Sequence, residues 1–110
     1  MSASVPGVVA GFFAADARRD IDGIVALFTS DAVVVDEGRT WRGTGGIRDW
    51  QEGPASTYRY TTQVLATEVT GEDSAVVTGR LTGNFPGGTA DLTWRFSLDG
   101  DRIRHLTIAP

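Results

Sequence analysis

The chain contains no cysteine, which excludes disulfide bonds, thiolate zinc sites and cysteine nucleophiles together. It has a single histidine, His105, so a metal site built from several histidines is also excluded. Any catalysis must therefore use carboxylates, hydroxyl groups or His105, and the stability of the fold must come from packing.

Positive charge and long apolar runs are also scarce. The net charge is -4 and the basic residues form no cluster, so we expect neither nucleic acid nor an anionic membrane as a partner. No stretch approaches the ~20 apolar residues of a membrane helix. The first residues, MSASVPGVV, lack the positive start and long apolar segment of a signal peptide, which predicts a cytoplasmic protein.

What the sequence does contain is enough apolar material for a core. The chain has 110 residues, of which 41% are hydrophobic, and three tryptophans. A chain of this size can bury roughly two-thirds of the surface that it exposes when unfolded. We therefore predict one globular domain over residues 1–110.

The first third of the sequence has helical periodicity. From Val5 to Ala15 the apolar residues recur at the spacing of one helix face. Asp20 is a natural N-cap for a second helix, whose apolar residues repeat that spacing from Ile21 to Phe28. The two segments predict a helical hairpin.

An extended segment and a third helix follow. Thr29-Ser30-Asp31 breaks the helical pattern, and the apolar run Ala32 to Val35 predicts a strand that is covered on both faces and ends at Asp36. A short extended piece between Gly38 and Gly43 holds Trp41. Thr44 can then cap a third helix that closes at Gly53-Pro54.

The second half of the chain predicts four strands in an antiparallel meander. Their approximate limits are Thr57 to Val69, Ser74 to Phe85, Thr89 to Leu98 and Arg102 to Ile108, with turn residues between them. Because Ile103 and Leu106 are both apolar, we expect a bulge in the last strand. Helices followed by strands predict an α+β fold with the helices on one face of a curved sheet.

Asp36 is the strongest candidate for a catalytic residue. We expect this carboxylate, at the end of an apolar strand, to be surrounded by Val34, Phe12 and the tryptophans and so to be partly desolvated. Desolvation raises the pKa of such a group and makes it a better proton acceptor near neutral pH. The alternative is that Asp36, followed by Glu37-Gly38, simply begins a solvated turn.

The segment DIDGIVALFTSDAVVVDEGRTWRGTGGIRDW, residues 20–50, resembles the ketosteroid-isomerase-type members of the NTF2-like (SnoaL-like) superfamily. The resemblance is carried by DGIVALF, by the strand that ends in Asp36 and by the helix GTGGIRDW. It implies a cone in which three N-terminal helices pack in the concave face of a strongly bent, mostly antiparallel sheet. It also implies that Asp36 occupies the position of the catalytic base, with no cofactor or metal.

The chain departs from this family at the groups that bind the enolate oxygen. Ketosteroid isomerase uses a tyrosine and a protonated aspartic acid for that purpose. The first-helix position of the tyrosine holds Phe12, and the strand that should carry the acid reads Leu92-Thr93-Trp94. Substitute hydrogen-bond donors exist, namely Tyr58, Tyr60, Trp41, Trp50, Trp94 and His105. Each also has a structural interpretation, since tryptophans are usually core residues and a lone histidine usually lies at the surface.

Two other kinds of site are not indicated. The glycines of residues 43–46 match no phosphate-binding loop, because no lysine follows and the spacing differs. Asp16, Asp20, Asp22 and Asp31 are scattered over helix ends, where capping explains them, so no metal cluster is predicted.

These observations predict a small apolar ligand, steroid-like or polyketide-like, in a conical pocket with Asp36 as general base for an isomerase or lyase reaction. The alternative is a non-catalytic ligand-binding or dimerisation module of the same fold. The predicted pocket residues are Asp36, Phe12, Val34, Trp50, Tyr58, Tyr60, Trp94 and His105. NTF2-like domains commonly dimerise through the outer face of the sheet, so the resemblance implies a homodimer, which the polar, threonine-rich face of the meander suits; a solvated sheet face fits the same pattern.

Overall fold

The computed structural model describes residues 5–110, which form three helices and a six-stranded sheet. Helices α1 (Val5–Ala17) and α2 (Ile21–Ala26) come first. Strands β1 (Phe28–Asp36) and β2 (Arg39–Arg42) then lead into helix α3 (Gly43–Glu52) and a short 3-10 turn (Pro54–Ser56). Four strands complete the chain: β3 (Tyr60–Gly71), β4 (Ser74–Gly83), β5 (Thr89–Asp99) and β6 (Arg102–Ala109).

The sheet has the strand order β2-β1-β6-β5-β4-β3. All neighbouring strands are antiparallel except β1 and β6, which run parallel. The sheet is curved and does not close, and the three helices pack against it. The predicted α+β cone is therefore confirmed, and so is the antiparallel meander of the last four strands.

The core lies between the helices and the inner face of the sheet. The third meander strand shows why the sequence folds this way, because Trp94, Phe96 and Leu98 are buried whereas Arg95 is exposed. This period-two alternation turns one face of the strand toward the helices. The helices supply the other half of the core through Phe12, Ile24, Ile47 and Trp50.

The second helix is shorter than predicted. It ends at Ala26, and Phe28 begins β1, so the prediction of a helix through Phe28 with a break at residues 29–31 is wrong. Long-range pairing explains the difference. Phe28 lies beside Ile103 of β6, and the Ile103 N–H donates a hydrogen bond of 2.7 Å to the Leu27 carbonyl oxygen.

The third helix begins one residue before the predicted cap. Arg42 occupies the N-cap position and makes no side-chain capping bond, so the prediction that Thr44 caps this helix is wrong. Gly43 has φ +72, a conformation that glycine adopts without strain, and this allows the chain to turn directly from β2 into α3. The helix ends at Glu52, as the Gly53-Pro54 signal predicts.

The predicted bulge in β6 is present at Arg104. Ser97 pairs with His105 and Leu98 pairs with Ile103, so Arg104 is an extra residue in β6. The bulge allows Ile103 and Leu106 to be buried together.

In the meander, β3 begins at Tyr60 and β4 ends at Gly83, so both strands are shorter than predicted. Within residues 5–110 no helix is long and apolar enough to span a membrane.

Candidate functional site

A cavity of about 380 Å³ opens between the helices and the inner face of the sheet. Its walls come from α1, the end of β1, α3, the 3-10 turn and the last four strands with their connections. Most of the lining side chains are apolar. The lining residues are Phe12, Asp16, Asp36, Glu37, Trp50, Pro54, Ala55, Tyr58, Tyr60, Leu81, Phe85, Pro86, Ala90, Leu92, Trp94 and Ile108.

The structure brings six of the eight predicted pocket residues together around this cavity: Phe12, Asp36, Trp50, Tyr58, Tyr60 and Trp94. The other two do not line it. Val34 has no exposed surface and belongs to the core. His105 is exposed, and its Nδ1 lies 3.5 Å from the Thr107 hydroxyl. The bulge at Arg104 explains the position of His105, because it places Leu106 on the inner face instead.

Asp36 reaches the cavity because it is the last residue of β1. It pairs with Arg39 across a two-residue turn, Glu37-Gly38, in which both residues have positive φ, +53 and +75. Turns with two positive φ values are typical of tight hairpins. Strand alternation places Asp36 on the same face as Val34, toward the helices. The carboxylate therefore begins a turn and also faces the cavity.

The half-buried carboxylate of Asp36 has one side-chain donor among the described residues. The indole N–H of Trp50, in α3, donates a hydrogen bond of 3.0 Å to Oδ2. Burial raises the pKa of Asp36 above its ordinary value; the Trp50 hydrogen bond opposes that rise and the charge of Glu37 adds to it. Because desolvation is the largest cause, Asp36 is a stronger base than a surface aspartate.

Asp16 is a second acid in the cavity wall that the sequence did not predict. It lies in the last turn of α1 and is only 8% exposed. The Tyr60 hydroxyl lies 3.2 Å from each of its oxygens, and the Arg19 guanidinium donates at 2.9 Å. The expectation that capping explains Asp16 is wrong, whereas Asp20 does cap α2 by accepting from the Gly23 N–H. The spacing from Phe12 to Asp16 is one helical turn, which was the available signal.

Desolvation by burial raises the pKa of Asp16, although the charge of Arg19 and the Tyr60 hydrogen bond act against that rise. The pKa of Tyr60 is also raised, first by burial and then by the charge of Asp16. Tyr60 is therefore a neutral hydrogen-bond donor at physiological pH. Its proton is directed at Asp16 in this structure.

Arg19 lies outside the cavity lining and links the segments that surround Asp16. Its backbone has φ +53, which is uncommon for a residue other than glycine. Besides Asp16, its guanidinium donates to the backbone oxygen of Gln51 at 3.2 Å and to the Ser56 hydroxyl at 2.7 Å. One side chain thus joins the ends of α1 and α3 and the 3-10 turn.

Aromatic rings make up much of the remaining wall. Tyr58 and Phe85 pack edge to face with their centroids 6.0 Å apart, and Tyr58 is 44% exposed, which places this pair at the open side. Within residues 5–110 the Tyr58 hydroxyl and the Trp94 indole N–H make no hydrogen bond. Among those residues, no group of three or more His, Cys, Asp or Glu side chains is arranged to hold a metal ion.

The fold and the site together define a class, a cone-shaped α+β domain with a carboxylate-bearing apolar cavity. The family model for the SnoaL-like domain matches residues 9–106. The chain belongs to the SnoaL-like domain family. No curated protein sequence matched the chain.

Solved structures show the same fold. A candidate polyketide cyclase from Sinorhizobium meliloti is 35% identical, with a TM-score of 0.88 over 94% of each chain. A protein from Catenulispora acidiphila, in complex with trimethylamine, is 18% identical, with a TM-score of 0.84 over 96% of this chain and 85% of that one. Rv0760c from Mycobacterium tuberculosis, in complex with estradiol-17β-hemisuccinate, is 14% identical, with a TM-score of 0.80 over 94% and 90%. The last two likenesses show the fold alone.

Proposed function

We propose that the cavity binds a small, largely apolar molecule and that Asp36 acts as general base in a proton transfer of the isomerase or lyase type. The observation that carries this proposal is the half-buried Asp36 carboxylate on the wall of an apolar cavity. A base of this kind must lie within hydrogen-bond reach of the proton that it abstracts. The position of Asp36 provides that access without a metal or a cofactor.

The comparisons support the ligand class of this proposal. The similar protein from Sinorhizobium meliloti is a candidate polyketide cyclase. The structures from Mycobacterium tuberculosis and Catenulispora acidiphila hold a steroid ester and a small amine. A polyketide-like or steroid-like compound is therefore a reasonable first choice of ligand for this chain.

The donors around the cavity argue against efficient steroid isomerisation. Phe12 packs edge to face against other rings and offers no hydroxyl, and the strand where the family carries its buried acid reads Leu92-Thr93-Trp94. Trp50 and Tyr60 already donate to Asp36 and Asp16. Since donors to a developing oxyanion are often the largest catalytic contribution, we propose weak or absent turnover of a 3-oxo-steroid.

The decisive variant is Asp36→Asn, which keeps the size of the side chain and removes the base. With a substrate found by screening polyketide-like and steroid-like carbon acids, we expect the rate to fall by ~10²–10⁴. Asp31→Asn, on the exposed side of the same strand, is the matched control and should keep its rate. An Asp36→Asn protein with unchanged turnover would refute the proposed base.

The same variant separates an enzyme from a non-catalytic module. If the screen finds ligands that bind to wild type and to Asp36→Asn with equal affinity and are never converted, the chain is a ligand-binding module. The observation that favours this second candidate is that two of the four hydroxyl and indole donors in the described lining are not free for a ligand. Trp50 and Tyr60 are both engaged within the protein.

We also propose that the chain, as a single domain, forms a homodimer through the outer face of the meander. Supporting this, the side chains on that face are exposed and polar, and Arg80 and Asp91 form a cross-strand ion pair of 2.7 Å. The exposed polar residues are Thr61, Gln63, Arg80, Thr82, Thr89, Asp91 and Arg95. The cytoplasm remains the proposed location.

A further inference from the structure

The charges around the cavity are unbalanced. Among the described residues 5–110, three carboxylates line it, those of Asp16, Asp36 and Glu37, whereas no arginine or histidine does. Of these carboxylates Arg19 pairs with Asp16, at 2.9 Å, from outside the lining. Within residues 5–110, Asp36 and Glu37 form no ion pair. A ligand therefore meets two carboxylates, those of Asp36 and Glu37, that have no cationic partner among the described residues.

The aromatic part of the cavity wall is suited to a positively charged ligand group. Six aromatic rings line the cavity: Phe12, Trp50, Tyr58, Tyr60, Phe85 and Trp94. Aromatic faces carry negative electrostatic potential and attract cations, most strongly where water is excluded. A combination of carboxylates and aromatic rings is the usual protein environment for an ammonium group.

The same cavity is a poor binding site for an anionic or strongly electron-rich ligand group. The Trp50 indole N–H donates to Asp36 and the Tyr60 hydroxyl to Asp16, which leaves the Tyr58 hydroxyl and the Trp94 indole N–H as the free side-chain donors of the lining within residues 5–110. Negative charge on the ligand would also lie against the carboxylates in a partly desolvated site, where repulsion is stronger than in water.

We infer that the ligand of this cavity is an organic cation, an apolar molecule that carries a protonated or quaternary nitrogen close to Asp36. This inference rests on the proposed function, because it assigns a ligand class to the same cavity. It also fits Asp36 as a base. Where the nitrogen is an iminium or pyridinium that is conjugated with the reacting carbon, breaking the C–H bond sends the proton to the Asp36 carboxylate and the electron pair to that nitrogen, so that Asp36 and the ligand both become neutral and no oxyanion donor is needed.

The test compares two probes of the same shape that differ in one atom. They are benzyldimethyl(2-hydroxyethyl)ammonium and its uncharged carbon isostere, 3,3-dimethyl-4-phenylbutan-1-ol. Binding is followed by titration calorimetry at neutral pH and by the indole N–H resonances of Trp50 and Trp94, which line the cavity. We expect the cation to bind about tenfold or more tightly than the isostere.

Two variants locate the source of that preference. Asp36→Asn should reduce the ratio of the two affinities about tenfold, because it removes the unpaired carboxylate. Glu72→Gln changes the net charge by the same amount in the β3–β4 turn, outside the lining, and should leave the ratio unchanged.

The outcomes separate this inference from the proposed function. If the isostere binds as tightly as the cation, the cation inference is refuted, whereas a neutral ligand and Asp36 as base remain. If neither probe binds or shifts the Trp50 and Trp94 resonances, the cation inference is refuted, and the screen of polyketide-like and steroid-like compounds decides whether the cavity binds a ligand. If Glu72→Gln lowers the preference for the cation over the isostere as much as Asp36→Asn does, the preference reflects general electrostatic attraction. That outcome would also refute the site.

Discussion

Two acidic residues share the wall of the cavity in different environments. Asp36 ends a strand and accepts a single side-chain hydrogen bond, from Trp50. Asp16 lies inside a helix, where Arg19 and Tyr60 both bind it. Burial raises the pKa of both carboxyls, but only Asp36 lacks a cationic partner among the described residues. It is therefore the better candidate to exchange a proton with a ligand.

The raised pKa of Asp36 predicts a pH dependence of stability. The folded protein holds the Asp36 proton more firmly than the unfolded chain, whose value is near 3.8. Stability should therefore decrease as pH rises from that value through the folded pKa, and Asp36→Asn should remove this part of the decrease. Carboxyl titration by NMR and urea unfolding at several pH values measure both effects. An Asp36 that titrates at the ordinary value, with an Asn variant that is clearly destabilised, would contradict the prediction.

The two tyrosines of the cavity give a matched pair of variants. Tyr60→Phe removes the hydroxyl that lies 3.2 Å from both oxygens of Asp16, so we expect a loss of about 1–3 kcal/mol in the free energy of unfolding. Tyr58→Phe removes a hydroxyl without a partner within residues 5–110, and should change stability by less than about 0.5 kcal/mol. Thermal unfolding of both proteins gives the comparison. Equal effects would mean that the Tyr60–Asp16 bond does not stabilise the fold.

Among the elements, α3 combines an intrinsically weak sequence with an important position. Three of its first four residues are glycines, and it has no side-chain N-cap. Nevertheless it places Trp50 against Asp36 and Ile47 in the core. Its stability therefore comes from tertiary packing more than from helix propensity.

Glycine substitutions test how helix propensity and packing contribute to stability. A Cβ at Gly45 meets no atom within 4 Å, so Gly45→Ala should stabilise the protein by up to about 1 kcal/mol through helix propensity. The same change at Gly79, in β4, places a Cβ 2.9 Å from the Trp94 ring and 3.0 Å from the Gln63 carbonyl oxygen. Gly79→Ala should therefore destabilise it. The midpoints of denaturant unfolding show whether each variant is more or less stable than wild type. A destabilising Gly45→Ala would contradict this account of α3.

At the scale of the whole molecule, the sheet leaves two kinds of surface open. One is the polar outer face of the meander. The other is β3, one of the two edge strands, on which Val64, Leu65 and Val69 are each about half exposed, with Leu65 at 50%. Exposed apolar residues on an edge strand are a common contact site, because the strand also has unpaired backbone groups.

The homodimer prediction can be tested on these two surfaces. Sedimentation at micromolar concentration should give twice the mass of one chain. Thr93→Arg, on the outer face, should shift the protein toward monomer, because it places an unpaired charge in the contact. Glu72→Lys, in the β3–β4 turn, is the control. A wild-type monomer would contradict the prediction, and a dimer that Leu65→Lys dissociates but Thr93→Arg does not would place the interface on β3.

The sequence by itself determined the features that depend on local periodicity. Alternating Trp94, Phe96 and Leu98 set the inner face of β5, and the two apolar residues Ile103 and Leu106 required a bulge in β6. The family resemblance over residues 20–50 added the cone and the position of Asp36. These signals are local, because the side-chain period of a strand or helix is fixed by its own backbone.

Only the tertiary structure decided which of those side chains meet. Phe28 continues the helical pattern of the sequence, but pairing with Ile103 makes it the start of a strand. Asp16 is one of several acids near helix ends, and it becomes a cavity residue because Tyr60, 44 positions later, reaches it. Burial, ion pairing and the pKa of a carboxyl depend on such distant contacts. A local pattern cannot specify them, because each is fixed by how the sheet curves around the helices.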